Sequence, residues 1–195
     1  GVITTSDMIR PHAKDAVDRL KGLGLEVGIL TGDNRYVAGV IANELNITTV
    51  LSEVLPGGKS NEIKKMQAKG LTVGMVGDGI NDAPALAQAD LGIAVGSGAD
   101  VAVEASDITL MTNDLRAVVD AIELSNKTMA KVKQNLFWAF FYNCLGIPIA
   151  AGALYPTFGI LLSPVYAALA MAFSSVSVVS NSLLLKRFIP KGRIC

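Results

Sequence analysis

Two short glycine-containing turns, Thr31-Gly32-Asp33 and Gly77-Asp78-Gly79, each follow an apolar run that is typical of a β-strand. Asp78 and Asp82 are four residues apart across a turn, so both carboxylates can point at one Mg²⁺. This ion binds one or two carboxylates together with phosphate oxygens and water. The Thr31 hydroxyl can hydrogen-bond a phosphoryl oxygen, and Lys59 can neutralise one. These residue types therefore predict a Mg²⁺-dependent phosphoryl site.

Either turn alone has a simpler interpretation, because Thr-Gly-Asp and Gly-Asp-Gly are common turn sequences. The position of both turns directly after predicted strands favours a site, since ligands of open α/β sheets bind beyond the C-terminal strand ends. Glycines beside the polar residues, such as Gly77 and Gly79, let the backbone approach a phosphate closely and leave room for a cation.

The elements that must position these residues alternate along the chain. Short apolar runs predict strands, and the amphipathic stretches between them predict helices. The predicted strands are at 2–3, 27–30, 49–51, 73–76, 91–94 and 108–111, and the predicted helices at 11–22, 36–45, 60–69 and 83–88. This alternation predicts an α/β domain over residues 1–113, with a parallel sheet covered by helices.

Charged residues are distributed unevenly. They make up 17% of the 195 residues, against about 25% in an average soluble domain, and residues 134–185 contain no Asp, Glu, Lys, Arg or His. Because a membrane-spanning helix needs about 20 apolar residues, we expect two transmembrane helices, at about 135–154 and 162–185. The alternative is a very apolar soluble helical hairpin. The net charge of zero gives no reason to expect nucleic-acid binding.

Basic residues flank this uncharged run on both sides. They are Lys127, Lys131, Lys133, Lys186, Arg187, Lys191 and Arg193. Because positively charged flanks stay on the cytoplasmic side of a membrane, we expect residues 1–133 and the basic tail at 186–195 to be cytoplasmic. Residues 114–133 have apolar positions at helical spacing and predict a linker helix between the sheet domain and the first span.

Several motifs resemble the phosphorylation domain of P-type ATPases, which has a haloacid-dehalogenase-like fold. They are Thr31-Gly32-Asp33-Asn34, Glu53-Val54-Leu55-Pro56 followed by Lys59, and the stretch Met75-Val76-Gly77-Asp78-Gly79-Ile80-Asn81-Asp82-Ala83-Pro84-Ala85-Leu86. Asp7-x-x-Arg10-Pro11 is similar to the family's segment that enters this half of the domain. The resemblance covers nearly all of residues 1–113 and implies part of a Rossmann-type parallel sheet.

The resemblance also implies a role for each matching position. Thr31 and Lys59 would bind an aspartyl-phosphate. Asp78 would ligate Mg²⁺ with Asp82 beside it. Asn81 would help to hold the phosphate, and the Gly32-Asp33 turn would shape the nucleotide side.

The phosphorylated aspartate of the family is missing from this sequence. In the family it lies in an Asp-Lys-Thr-Gly-Thr motif that precedes the ATP-binding domain, and both would lie upstream of Gly1. The missing strand is central in the family's sheet, between the strands that end at Thr31 and Asp78. We therefore expect a gapped sheet, no ATP hydrolysis by this chain alone, and the missing N-terminal part of the same ATPase as its partner.

The uncharged run carries several polar or sulfur-containing residues. Tyr142, Asn143 and Cys144 lie in the first predicted span, and Met171 and Ser175 are one turn apart in the second. A divalent cation in a membrane is usually met by carboxylates, and neither span has one. A monovalent soft ion prefers sulfur, so Cu⁺ fits the Met171 thioether better than Zn²⁺ does. Helix packing is the simpler explanation for Cys144 and for the other serines of the second span.

Tyr142-Asn143 and Met171-x-x-x-Ser175 also resemble the copper-selective class of heavy-metal P-type ATPases. The resemblance implies that these residues line part of a Cu⁺ path, with Ag⁺ as a second substrate. It also implies a plasma (inner) membrane location, export from the cytoplasm and a cytoplasmic copper donor. The class uses a Cys-Pro-Cys motif in an earlier helix, so this chain alone cannot complete the site.

Two other hypotheses remain open. A Zn²⁺/Cd²⁺-type pump would share the phosphorylation site, although the uncharged spans count against it. A naturally short, non-catalytic membrane scaffold would explain the missing acceptor without truncation. The coding sequence upstream of Gly1 separates them: an in-frame Asp-Lys-Thr-Gly-Thr motif supports a pump, and an initiator codon supports the scaffold.

Overall fold

The computed structural model describes residues 8–78, 80–96, 100–159 and 164–190. It divides into two compact units, Gly1–Val119 and Asp120–Cys195. The described strands are β1 (Gly28–Leu30), β2 (Thr49–Leu51), β3 (Gly74–Gly77), β4 (Leu91–Val95) and β5 (Ile108–Leu110). The described helices are α1 (Ala13–Gly22), α2 (Arg35–Glu44), α3 (Pro56–Ala68), α4 (Ala83–Gln88), α5 (Asp100–Glu104), α6 (Arg116–Ala150), α7 (Tyr155–Phe158) and α8 (Pro164–Leu183).

The strands of the first unit form two parallel sheets. β1 pairs with β2, with Gly28 opposite Thr49, and β3 pairs with β4, which pairs in turn with β5. In the described part of the chain, no strand pairing joins the two sheets, and β1 and β3 each pair on one side only. The break lies between the strands that end before Thr31 and Asp78, where the gap was predicted. The predicted strand at residues 2–3 lies outside the described residues.

Two of the helices near the site start from recognisable local signals. The Asn34 side chain caps α2 by accepting a hydrogen bond of 2.9 Å from the Val37 backbone nitrogen. Helix α3 begins at Pro56, four residues before the predicted start at Ser60. Gly57 and Gly58 weaken the helical signal there. Proline nevertheless favours the first position of a helix, because its fixed φ is close to the helical value. The earlier start places Lys59 inside the first turns of α3.

The core of the first unit comes from small and branched apolar residues. A buried cluster joins α1, α2 and the turn after α2, and it consists of Ala13, Val17, Ala42, Leu45 and Ile47. In β4, residues 92–95 are all buried. A strand with no exposed face is typical of a parallel sheet with helices on both sides. Helix α5 was not predicted, because it has only five residues and shows no complete helical period.

Helix α6 runs through the predicted linker and most of the first predicted span without a break. It ends at Ala150 rather than 154, because Gly152 has a φ of 90°, the left-handed conformation that commonly follows the end of a helix. Residues between the two predicted spans form the short helix α7, and Gly159, the residue after it, has a φ of 64°. Within the described ranges, no helix is both long enough and apolar enough to cross a membrane.

Candidate functional site

Thr31 lies directly after β1, in a turn that fixes its hydroxyl. Its Oγ1 donates a hydrogen bond of 2.7 Å to the Asp33 carboxylate and accepts one of 3.1 Å from the Asp33 backbone nitrogen. The Thr31 backbone nitrogen donates to the Leu51 carbonyl at 2.9 Å, and the Val54 nitrogen donates to the Thr31 carbonyl at 3.1 Å. The turn is therefore tied to β2 and to the segment that follows it. This arrangement presents a hydroxyl at the C-terminal end of a parallel strand, and exposed Gly32 and Asp33 lie beside it.

Asp78 occupies the equivalent position after β3. Its carboxylate forms an ion pair with the guanidinium of Arg10, which precedes α1. Both side chains are half-exposed, at 48% for Asp78 and 41% for Arg10. Arg10 was not predicted to have a chemical role; its signal in the sequence is the Asp7-x-x-Arg10-Pro11 segment, which resembles the family's segment entering this half of the domain.

Lys59 and Asp82 form the second ion pair of the site. The Lys59 Nζ lies 2.7 Å from an Asp82 carboxylate oxygen, and the two side chains are only 15% and 14% exposed. This pair joins the N-terminal part of α3 to the 3-10 turn at Ile80–Asp82. It thus brings a residue from a distant helix to the end of β3.

Gly77, the last residue of β3, is buried against Asp82. A Cβ atom at this position would lie 2.8 Å from the Asp82 Cβ and 3.0 Å from its Oδ2. Such distances are too short for ordinary contact, so a side chain at position 77 would displace Asp82. Asn81, in the same 3-10 turn, is exposed. Gly79 lies outside the described residues.

The donors at the end of β3 fit Mg²⁺. Asp78 and Asp82 supply two hard carboxylate oxygens on a short turn. In the part of the chain that the structure describes, no group of three or more His, Cys, Asp or Glu could hold a metal. A site with two carboxylates, completed by phosphate oxygens and water, is the kind that Mg²⁺ prefers over an all-protein cage.

The residues predicted to bind copper lie on α6 and α8. Tyr142 and Asn143 are adjacent on α6, where the Asn143 side chain donates a hydrogen bond of 3.0 Å to the Ala139 carbonyl. Met171 and Ser175 are four residues apart on α8; Ser175 is exposed, and the Met171 side chain is outside the described residues. Tyr142 lines a pocket of about 250 Å³. Its other lining residues are Gln134, Asn135, Trp138, Ser177, Val178 and Asn181.

A network of polar side chains joins α6 to α8 near this pocket. The Lys131 Nζ donates to the Asn181 Oδ1 at 2.7 Å, and the Asn181 Nδ2 donates to the Asn135 Oδ1 at 2.8 Å. The Asn135 Nδ2 donates to the Ser182 Oγ at 2.9 Å. Ser182 was predicted to serve helix packing, and Asn135 was not predicted to have a role. These bonds are of the interhelical kind that holds apolar helices together.

Residues 1–90 match the family model of haloacid dehalogenase-like hydrolases. A curated relative from Archaeoglobus fulgidus, described as "Probable copper-exporting P-type ATPase", is 61% identical over 193 residues, which are 99% of this chain and 24% of the relative. A "Probable copper-transporting ATPase PacS" from Synechocystis is 56% identical over 189 residues, which are 97% of this chain and 25% of the relative. The chain therefore spans about a quarter of the length of these relatives.

Two solved structures are similar to this chain. A zinc-transporting PIB-type ATPase in its E2.Pi state has a TM-score of 0.79 and 36% identity, and the match covers 92% of this chain and 28% of that one. The catalytic domain of the CPx-ATPase CopB-B has a TM-score of 0.56 and 40% identity, over 60% of this chain and 46% of that one. The α/β unit thus has a haloacid-dehalogenase-like parallel sheet with helices.

Proposed function

Starting from a haloacid-dehalogenase-like α/β unit whose most similar relatives include copper-exporting P-type ATPases, we propose that this chain is the C-terminal part of an ATP-driven Cu⁺ exporter. The observation that carries the proposal is the pairing of Lys59 with Asp82 at the end of β3, beside the Arg10–Asp78 pair. A lysine and two carboxylates at this edge of a parallel sheet suit phosphoryl transfer better than packing alone.

The residues of the α/β unit would act on a phosphorylated aspartate that lies outside this chain. The Thr31 hydroxyl donates to a phosphoryl oxygen after turning away from Asp33. Lys59 neutralises negative charge on the phosphoryl group, and Asn81 donates its side-chain amide to it. Asp78 and Asp82 hold Mg²⁺, which when bound offsets the charge on the phosphoryl and carboxylate oxygens. Gly32 and Asp33 shape the side facing the nucleotide, and ATP is bound by a domain outside this chain.

The open edges of β1 and β3 support the proposal that the acceptor strand comes from another part of the protein. An unpaired strand edge exposes backbone donors and acceptors that a further strand can satisfy. Without that strand and its aspartate, the chain has no phosphate acceptor. We therefore propose that it is inactive alone and works only with the N-terminal part of the same ATPase.

We propose residues 134–185 as a membrane-embedded helical hairpin. The stretch contains no charged residue, and many of its large apolar side chains are exposed. They include Phe137, Phe140, Ile147, Phe173, Val176 and Val179, with exposed fractions between 57% and 68%. Exposed apolar surface of this extent is typical of segments that contact lipid or another part of the protein rather than water. Residues 1–133 and the tail would be cytoplasmic, in a protein of the plasma (inner) membrane.

Copper is the transported ion that the sequence and the relatives support together. Tyr142, Asn143, Met171 and Ser175 supply hydroxyl, amide and thioether groups without a carboxylate, which suits a monovalent soft ion such as Cu⁺ or Ag⁺. The relatives from Archaeoglobus fulgidus and Synechocystis are described as copper-transporting, at higher identity than the zinc-transporting structure. In this proposal, a cytoplasmic copper donor delivers Cu⁺ to the protein, which exports it across the membrane.

The test uses the full-length ATPase that contains this chain, reconstituted in lipid vesicles. We expect Cu⁺ and Ag⁺ to stimulate formation of an acid-stable phosphoenzyme from ATP and to be transported with it, whereas Zn²⁺ and Cd²⁺ do neither. Stimulation by Zn²⁺ or Cd²⁺ instead would identify the alternative pump. The absence of any phosphoenzyme with all four ions would favour a non-catalytic scaffold.

A further inference from the structure

The two carboxylates at the end of β3 are each paired with a cation, but the pairs differ in burial. Lys59 and Asp82 are 15% and 14% exposed, whereas Arg10 and Asp78 are 41% and 48% exposed. Breaking a mostly buried pair leaves a charge away from water and costs much more than breaking an exposed pair. The Arg10–Asp78 contact is therefore the one that can open readily.

The Arg10 guanidinium contacts one of the two carboxylate oxygens of Asp78, the group that is proposed to bind Mg²⁺. A guanidinium is always charged, donates five N–H groups and accepts none, so it can share a carboxylate with a divalent cation only against charge repulsion. While Arg10 is in place, it also offsets the repulsion between Asp78 and Asp82. The residue thus stabilises the carboxylate pair without a metal and competes for one member of it.

The backbone of Arg10 is fixed, so its side chain alone has to move. The Arg10 carbonyl accepts a hydrogen bond of 3.1 Å from the Ala13 nitrogen in the first turn of α1. Pro11, the next residue, has a restricted φ. Rotation about the side-chain bonds of Arg10 can release Asp78 without disturbing α1.

Resting on the proposed function, we propose that Arg10 is a positioning residue of the magnesium site. Its guanidinium holds the Asp78 carboxylate when no divalent ion is bound and leaves the carboxylate when one binds. Arg10 thereby weakens divalent-ion binding and keeps the site ordered in its metal-free state.

The experiment measures Mn²⁺ binding to the full-length ATPase without nucleotide, by the loss of the free-ion signal in electron paramagnetic resonance. The Mn²⁺ binding that is lost in the Asp78→Asn variant is assigned to this site. We expect Arg10→Gln to lower the Mn²⁺ dissociation constant about two- to fivefold at low ionic strength, the range that an exposed ion pair permits. The difference should shrink as salt is added, because salt screens exposed charges.

Two further variants separate competition from a general charge effect. Arg10→Lys keeps the positive charge and should stay close to wild type. Lys64→Gln removes an exposed positive charge from α3 without touching either carboxylate, and should change the dissociation constant by less than Arg10→Gln does. Agreement of all three variants with these expectations supports the inference.

Three results would overturn it. If Arg10→Gln binds Mn²⁺ with unchanged or lower affinity while Asp78→Asn loses binding, Arg10 does not compete, and the proposed function stands. If Lys64→Gln has the same effect as Arg10→Gln, the effect comes from net charge. If Asp78→Asn binds Mn²⁺ as wild type does, both the inference and the proposed metal site are wrong.

Discussion

The Lys59 ammonium lies 2.7 Å from an Asp82 carboxylate oxygen, in a pair that is mostly shielded from solvent. The two residues are 23 positions apart in sequence, and they connect α3 to the turn after β3. Because the pair is shielded, each side chain holds the other near the strand end. A change to either residue should therefore affect both the chemistry and the stability of the site.

Replacing Lys59 with Met should abolish phosphoenzyme formation in the full-length protein and lower its melting temperature. The loss of the ammonium leaves a mostly buried carboxylate unpaired, at a cost of about 1–3 kcal/mol. Adding Asp82→Asn to this variant should recover part of the stability but none of the activity. Thermal melts and phosphoenzyme assays check both points, with Lys64→Met as the exposed lysine control. Equal melting temperatures for the Lys59 and Lys64 variants would contradict the shielded pair.

Replacing Thr31 with Val should lower the rate of phosphoenzyme formation about ten- to a hundredfold, which corresponds to the free energy of one lost hydrogen bond to a charged group. Thr31→Ser keeps the hydroxyl and should retain most of the activity. The rate of phosphoenzyme formation from ATP is the measurement. Activity of the valine variant equal to that of the serine variant would show that the hydroxyl has only a turn-forming role.

Replacing Gly77 with Ala should destabilise the site, because the new Cβ would lie 2.8 Å from the Asp82 Cβ. We expect a loss of about 1–3 kcal/mol, as in other overpacked positions, together with weaker Mg²⁺-dependent activity. Gly74→Ala is the matched control on the same strand, since its nearest atom would be the Leu91 carbonyl oxygen at 3.8 Å. Thermal melts of the two variants make the comparison. If the Gly74 variant is as unstable as the Gly77 variant, the instability comes from replacing glycine in the β3 backbone and not from a clash with Asp82.

The start of α6 should become less stable in acid. The Arg116 side chain hydrogen-bonds the Asp114 carboxylate and, against a smaller opposing effect of burial, lowers the pKa of that carboxyl below its usual 3.8. Because the folded-state pKa is depressed, the stabilisation is present above the unfolded-state pKa and is lost as pH falls through the folded-state value. Below about pH 4, the amides in the first turns of α6 should be less protected from hydrogen–deuterium exchange, relative to their intrinsic exchange rates, than they are at neutral pH.

Asp114→Asn removes this titration and serves as the control, compared with wild type at each pH so that intrinsic exchange rates cancel. The two proteins should differ most at neutral pH and converge in acid. A constant difference across the whole pH range would show that the ion pair does not titrate as stated.

Replacing Met171 with Leu should abolish Cu⁺-stimulated ATPase activity in the full-length protein while leaving its folding intact. Leucine has a similar volume but lacks the thioether that binds a soft ion. Met129→Leu, on the exposed surface of α6, is the control and should keep the stimulation. ATP hydrolysis measured over a range of Cu⁺ concentrations is the readout. Retained stimulation in the Met171 variant would weaken the copper assignment.

Most strand and helix positions of the first unit could be predicted, because hydrophobic period and turn residues are local signals. For example, short apolar runs between turns predicted strands at 49–51 and 91–94, where the structure has β2 and β4. The early start of α3 was missed, since Gly57 and Gly58 weaken the helical signal that Pro56 gives. Helix α5 was missed because a single turn has too few residues to show a period.

By itself, the sequence determined which residues are candidates for the chemistry. Thr31, Lys59, Asp78 and Asp82 were predicted from their residue types and, for Thr31 and Asp78, from neighbouring glycines and positions after strands, all of which are properties of short segments. It also determined where charge is absent, in residues 134–185, because composition does not depend on the fold.

Only the tertiary structure decided how these residues are paired. Lys59 forms an ion pair with Asp82, and Asp78 forms one with Arg10, which is 68 positions away in sequence. The amide network of Asn135 and Asn181 likewise joins helices whose contact no local pattern reports. The physical reason is that an ion pair or hydrogen bond depends on distance in space and on burial, and both are set when distant segments pack together.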